Sequence, residues 1–221
     1  MPTLIAIDGL DGSGKGTQSK LLYEALCAKG IPARLISFPV YDSPSCELVK
    51  LYLSGTFGTD PDSVNCFAAS SFYAMDRFAT YAADWKRDYE AGTVIIADRY
   101  TTANAIHQLS KLNGEAEKAE FLQWLSDFEY GKLGIPAPSM TLFLEVPVEM
   151  SLKLIEERGR EGDIHENRDH LLRAFDAAQY AAKAWGWDKI VCAENGVLRT
   201  REEIASEILH LVEERIPELC R

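Results

Sequence analysis

The sequence predicts an α/β fold in three layers: a five-stranded, mostly parallel sheet with helices on both faces. Two observations predict it. Five short apolar runs, Thr3–Asp8, Ala33–Phe38, Thr93–Ala97, Thr141–Glu145 and Lys189–Ala193, alternate with longer stretches of helical periodicity, so crossovers join successive strands. The runs are continuously apolar rather than alternating, as strands covered on both faces require. With 221 residues and 47% hydrophobic content, the chain suits one globular domain, residues 1–221, with a small mobile insertion at about 158–166.

The first run leads into "IDGLDGSGKGTQSKLL". Gly9-Leu10-Asp11-Gly12-Ser13-Gly14-Lys15 fits the phosphate-binding pattern G-x-x-x-x-G-K between a strand and a helix. Glycines let the backbone curl so that N–H groups point inward. The helix N-terminus adds positive partial charge, and Lys15 reaches the β- and γ-phosphates. A tight turn with an exposed lysine is the plainer alternative, and the strand and helix on either side favour phosphate binding. The pattern usually continues with a Ser or Thr on Mg²⁺; here Gly16 comes first and Thr17 second. The loop alone indicates an NTPase or a kinase.

The next helical stretch ends at Gly30, and the second run leads into "FPVY". A long helical segment follows, ending at Gly92. In it Val64, Ala68, Ser71, Phe72, Met75, Phe78 and Ala79 share one side, a core or subunit-interface stripe. Tyr73, Arg77 and Tyr81 share the other, either an aromatic–guanidinium face that reads a base or a solvated face with snorkelling side chains. Asp98 and Arg99 stand where the third run leaves the sheet. A carboxylate there can hold Mg²⁺ and an arginine a second phosphate; a structural ion pair is the alternative. Glu145 ends the fourth run. After it "EERGREGDIHEN" carries Arg158 and Arg160 in a glycine-bearing break, either a lid over the transferring phosphoryl group or a polar loop, with Arg168 beyond. Two further helical stretches flank the last run.

Composition narrows the function. Net charge is −11, which argues against a protein that coats nucleic acid. Arginines clustered locally can still hold small anions, because distant charge is screened beyond about 8 Å at physiological salt. Five scattered cysteines without a C-x-x-C pair point to a reducing cytosol rather than to a disulfide framework or zinc. The chain enters a strand at once, and no apolar stretch is long enough to cross a bilayer, so no membrane association is expected.

Taken in order, the loop G-x-D-G-S-G-K-x-T-Q, "FPVY", "AMDRF", "DRY" and an arginine-bearing lid resemble thymidylate kinase of the bacterial kind, over nearly the whole chain. The resemblance implies a P-loop kinase fold and transfer of the ATP γ-phosphate to dTMP with Mg²⁺, in a homodimer packed through helices. It implies that Gly9, Gly12, Ser13, Gly14, Lys15, Gly16 and Thr17 bind ATP, and that Asp98 lies on the magnesium side. Asp11 would meet the dTMP 3′-hydroxyl, Arg99 the dTMP phosphate, Tyr73 the thymine face and Arg77 the thymine O4. Phe38, Tyr41, Phe72, Asn104, His107 and Gln108 would complete the acceptor site. Arg158 and Arg160 would join Asp11, Lys15 and Arg99 as catalytic residues. Four positions depart from the family pattern: Gly16 for Ser/Thr, Val40 for an arginine, Ala103 for a serine and His107 for a tyrosine that crowds a ribose 2′-hydroxyl. The rivals are kinases for AMP or UMP/CMP, a deoxynucleoside kinase, and a non-enzymatic nucleotide switch, whose N-K-x-D motif is missing.

Overall fold

The computed structural model describes residues 2–157 and 168–220. Five parallel strands, β1 (Leu4–Gly9), β2 (Ala33–Ser37), β3 (Val94–Asp98), β4 (Met140–Glu145) and β5 (Asp188–Val191), form one sheet in the order β2-β3-β1-β4-β5. Each coincides with one of the five apolar runs to within one or two residues. Around the sheet stand α1 (Lys15–Ala28), α2 (Glu47–Leu53), α3 (Cys66–Thr80), α4 (Lys86–Glu90), α5 (Thr101–His107), α6 (Glu115–Ser126), α7 (Val148–Glu157), α8 (Arg168–Trp185) and α9 (Arg201–Arg215).

Period-2 alternation assigns each strand residue to a face. Ile5 and Ile7 of β1, Val94 and Ile96 of β3, and Leu142 and Leu144 of β4 pack with Leu22 and Leu26 of α1 and Ile204, Ile208 and Val212 of α9. On the other face Phe143 meets the alanine stripe of α8 (Ala174, Ala177, Ala178, Ala181, Ala182) together with Phe121 and Leu125 of α6. Leu4, Ala6, Ile95 and Ala97 meet Trp85 and Tyr100 there. Small alanines let α8 lie close to α5. The same alternation puts Asp8 and Asp98 on opposite faces at the carboxyl edge, where open α/β sheets bind ligands.

The chain departs from expectation in three places. The long segment before β3 is broken by a π-helical turn, Tyr81–Trp85, which carries Trp85 into the core at 1% exposure. The stripe read as core or interface is not core: Met75 and Phe78 are exposed, beside the exposed Phe67, while α3 buries Cys66, Ala69, Ser70, Ala74 and Arg77 instead. The solvated-face reading of Arg77 is therefore overturned too, because the pull on this helix comes from a buried carboxylate rather than from apolar periodicity. Beyond β5 an additional hairpin, β6 (Ala193–Glu194) and β7 (Val197–Leu198), turns on Asn195-Gly196, both at positive φ (51° and 78°), as a two-residue type I′ turn requires.

Candidate active site

Two clefts open on either side of the glycine loop. The first is lined by Asp11, Phe38, Pro39, Tyr41, Leu53, Tyr73, Arg77, Arg99, Ala103, Asn104, His107 and Gln108. It gathers most of the predicted acceptor residues from β2, α3, β3 and α5. Phe72 is not among them: it packs against Tyr52 and Phe57, and Tyr73 is the ring that faces the cleft. The second cleft is lined by Gly12, Ser13, Gly14 and Thr17, with Val146, Cys192, Arg199, Arg201 and Ile204 among its other walls. The residues from the hairpin and α9 were missed in the sequence. The Asn-Gly turn was the available signal, because a hairpin there carries Arg199 back toward the loop. Arg158, Arg160 and the segment 158–166 lie outside the described residues. Arg168 is 3.5 Å from Glu149 at the surface.

The loop itself is built for an anion. Gly14 takes the N-cap position of α1 at φ 87°, with no side chain capping the helix, so the first N–H groups of α1 have no cap to serve them. A Cβ at Gly12 would stand 2.5 Å from the Ser151 carbonyl oxygen, so glycine is required there by space as well as by its φ of 84°. Lys15 is buried, and its Nζ donates to the carbonyls of Gly9 (2.9 Å) and Leu10 (2.7 Å), with Asp11 at 4.0 Å. Burial pulls its pKa down to about 8, an effect reinforced by Arg99 and opposed by Asp11, Asp8 and Asp98.

Arg99 occupies the left-handed region (φ 66°), rare for a residue with a side chain, and its guanidinium pairs with Asp11. Burial alone would raise the Asp11 pKa; Arg99 and Lys15 override it and hold that carboxyl well below the usual carboxylate range. Asp8, fully buried at the end of β1, accepts from Thr102 Oγ1 (2.5 Å) and lies 3.4 Å from the Tyr100 N–H, so it anchors the "DRYTT" turn. Burial raises its pKa. His107 stacks on His170 (5.7 Å between ring centres, 7° between planes), and its Nε2 is 3.5 Å from Arg99 Nη1. Burial lowers the His170 pKa to about 4.

Arg77, 2% exposed, forms a two-pronged bond with Glu129, 0% exposed: Nε to Oε2 at 2.7 Å and Nη2 to Oε1 at 2.6 Å. Glu129 lies in a second π-helical turn, Asp127–Lys132, that continues α6. Nothing in the sequence singled it out, because a carboxylate in an ordinary amphipathic segment carries no signature.

Asp98 has a buried Oδ1 without a hydrogen-bond partner, and its Oδ2 would lie 3.1 Å from a Cβ at Gly16. Its carboxylate therefore faces the start of α1, where a loop serine would otherwise sit. That fits one ligand or water-mediated partner for a divalent cation. Among the described residues no group of three or more His, Cys, Asp or Glu is arranged to hold a metal, so a cation beside Asp98 would take its further ligands from phosphates and water.

Comparison with known proteins agrees with this geometry. A family model described as thymidylate kinase matches residues 7–204. Thymidylate kinase of Mycobacterium tuberculosis is 31% identical over 193 residues, covering 83% of this chain and 87% of that protein. The human thymidylate kinase is 29% identical over 177 residues, 78% and 74% of the two chains. The solved thymidylate kinase of Candida albicans shares the fold, with a TM-score of 0.70 at 23% identity over 96% of this chain and 91% of that one.

Two stability predictions follow from the buried charges. Lys15 binds its proton more weakly folded than unfolded, so its charge opposes folding fully below pH 8 and is relieved as pH rises toward 10.5. Ligand-free Lys15→Met should melt no lower than the parent at pH 7, and any advantage should shrink above pH 8 in thermal scans. Arg77→Ala takes the counter-charge from a buried carboxylate and should cost about 3–5 kcal/mol in urea unfolding, whereas Arg77→Met combined with Glu129→Gln, which removes the unpaired charge and keeps an oxygen for Thr101 and Asn104, should recover part of it.

Proposed function

The chain belongs to the thymidylate kinase family, and on that premise we propose how its two clefts divide the reaction. It phosphorylates dTMP to dTDP with ATP as donor, a step in dTTP biosynthesis. The observation that carries the division of labour is that the glycine loop borders both clefts, Asp11 lining the first beside Arg99 and Gly12, Ser13 and Gly14 lining the second, with the buried Lys15 4.0 Å from Asp11.

In this reading ATP lies in the cleft of Gly12, Ser13, Gly14 and Thr17, with Gly9, Lys15 and Gly16 completing the phosphate cradle. Lys15 exchanges the Gly9 and Leu10 carbonyls for the β- and γ-phosphates. dTMP lies in the other cleft, its base against Tyr73 and near Arg77, between the walls made by Phe38 and Tyr41. Arg99 moves from Asp11 to the acceptor phosphate, which frees Asp11 to accept from the sugar 3′-hydroxyl. Asn104, His107 and Gln108 close the floor; the Gln108 amide is buried and has no hydrogen-bond partner, as suits a group waiting for a ligand. The attacking phosphate oxygen is already an anion, so no general base is needed and catalysis is alignment plus charge. Mg²⁺, with Asp98 on its protein side, would neutralise charge developing on the donor phosphates.

The exposed face of α3 supports a homodimer. Phe67, Met75 and Phe78 stand 37–40% exposed on one helix, an apolar cost that a second copy would remove. No helix among the described residues is long and apolar enough to cross a membrane. A cytoplasmic site of action belongs to the same proposal and rests on the metabolic role.

Three experiments test this. With ATP and Mg²⁺, ADP release should be fastest with dTMP among dTMP, dUMP, UMP, AMP, GMP and thymidine; preference for thymidine would make Arg99 redundant and point to a nucleoside kinase. Lys15→Met should lower turnover by about 10²–10³-fold, as loss of one charge-stabilising donor does elsewhere. Phe78→Asp should sediment as a monomer where the parent sediments as a dimer; a monomeric parent at all concentrations overturns the dimer.

A further inference from the structure

The network behind the acceptor cleft fixes which hydrogen-bonding pattern the cleft can present. Glu129 takes four donors: Arg77 Nε (2.7 Å) and Nη2 (2.6 Å), Thr101 Oγ1 (2.8 Å) and Asn104 Nδ2 (3.3 Å). Asn104 Nδ2 also lies 3.3 Å from the Ser70 carbonyl oxygen. Both neighbours of that nitrogen, a carboxylate and a carbonyl, only accept. The amide can therefore sit in one orientation, with both N–H bonds spent on protein and Oδ1 left for the cleft, which Asn104 lines. Arg77 is held by the same carboxylate through one edge. Its Nη1, 3.4 Å from the Tyr100 carbonyl, and the second hydrogen on Nη2 make the other end of the fork a donor-only surface.

We propose that Glu129 is a specificity-determining positioning residue: by pinning Arg77 and the Asn104 amide it sets a donor beside an acceptor, the complement of an oxo base with an adjacent ring N–H. Thymine and uracil offer that pair as O4 and N3–H. Cytosine offers an amino donor and a bare ring nitrogen, so both contacts fail at once. A site built this way discriminates strongly because the mismatched base leaves buried groups unpaired. Guanine shares the oxo pattern, so this contact sorts oxo from amino bases and does not sort pyrimidines from purines. Glu129 itself touches no substrate in this account. The inference rests on the placement of dTMP in the Tyr73–Arg77 cleft.

The test compares kcat/KM for dTMP and dCMP in the parent, Glu129→Gln and Glu129→Asp. Glutamine at 129 brings a donor to Asn104 and lets its amide turn, so the dTMP:dCMP ratio should fall by at least about tenfold, with the change mainly in KM. Aspartate keeps an acceptor-only partner and should hold the ratio near the parent's even where its overall rate drops. A parent-like ratio in a folded, active Glu129→Gln overturns the proposal. Should Glu129→Gln fail to fold, the parent decides: the Asn104 side-chain amide protons should stay protected from exchange in NMR and shift little on saturation with dTMP. Large shifts that place them in a bond to the base overturn the proposal. A parent that does not turn over dTMP at all overturns the underlying assignment of the cleft, which is a different failure.

Discussion

A charge removed from water must find a partner, and at the carboxyl edge of this sheet Lys15, Arg99 and Arg77 each find one within the protein. Lys15 is turned back onto the carbonyls of its own loop, Arg99 onto Asp11, and Arg77 onto Glu129. These pairings differ in kind. Lys15 and Arg99 hold groups that can be given up, two backbone carbonyls and a carboxylate at the mouth of a cleft. Arg77 is tied by two short bonds to a carboxylate with no exposure at all. The first two are set to exchange partners; the third is part of the frame.

The sheet supplies the geometry that makes this workable. Alternation places Asp8 on one face and Asp98 on the other, so one carboxylate anchors the turn after β3 while the other faces the start of α1. The chain is strongly acidic overall, at −11, yet Arg77 and Arg99 line its first cleft and Arg199 and Arg201 its second. Local burial rather than net charge decides what an anion encounters there, since exposed carboxylates tens of ångströms away are screened.

The sheet and the glycine loop were legible in the sequence because each rests on local pattern: continuous apolar runs, and glycines at fixed offsets from a lysine. The facing of α3 was legible only in part. Its apolar residues share a side as read, but that side points outward, because Glu129 draws Arg77 inward from 52 positions away. A contact of that range leaves no trace in periodicity. Phe72 and Tyr73 could not be told apart for the same reason: adjacent aromatics both suit a helix, Tyr52 touches both rings, and only the packing of Phe72 on Phe57 and the place of Tyr73 in the cleft wall separate them. The hairpin at Asn195-Gly196 was written plainly in the sequence and passed unread.

Asp11, paired with Arg99 in the ligand-free chain, is a tethered competitor for every anion that arrives. A group held in place acts at an effective concentration of millimolar or more, a level that loose ions in solution must exceed to displace it. Small free anions, with little else to offer the cleft, are thus turned away without any gate. In the proposed placement of dTMP, the nucleotide displaces Asp11 because it brings a replacement partner, a sugar hydroxyl, along with the phosphate. The resting enzyme is in this sense already occupied, by a piece of itself, and it vacates the place only for a ligand that settles both halves of the exchange.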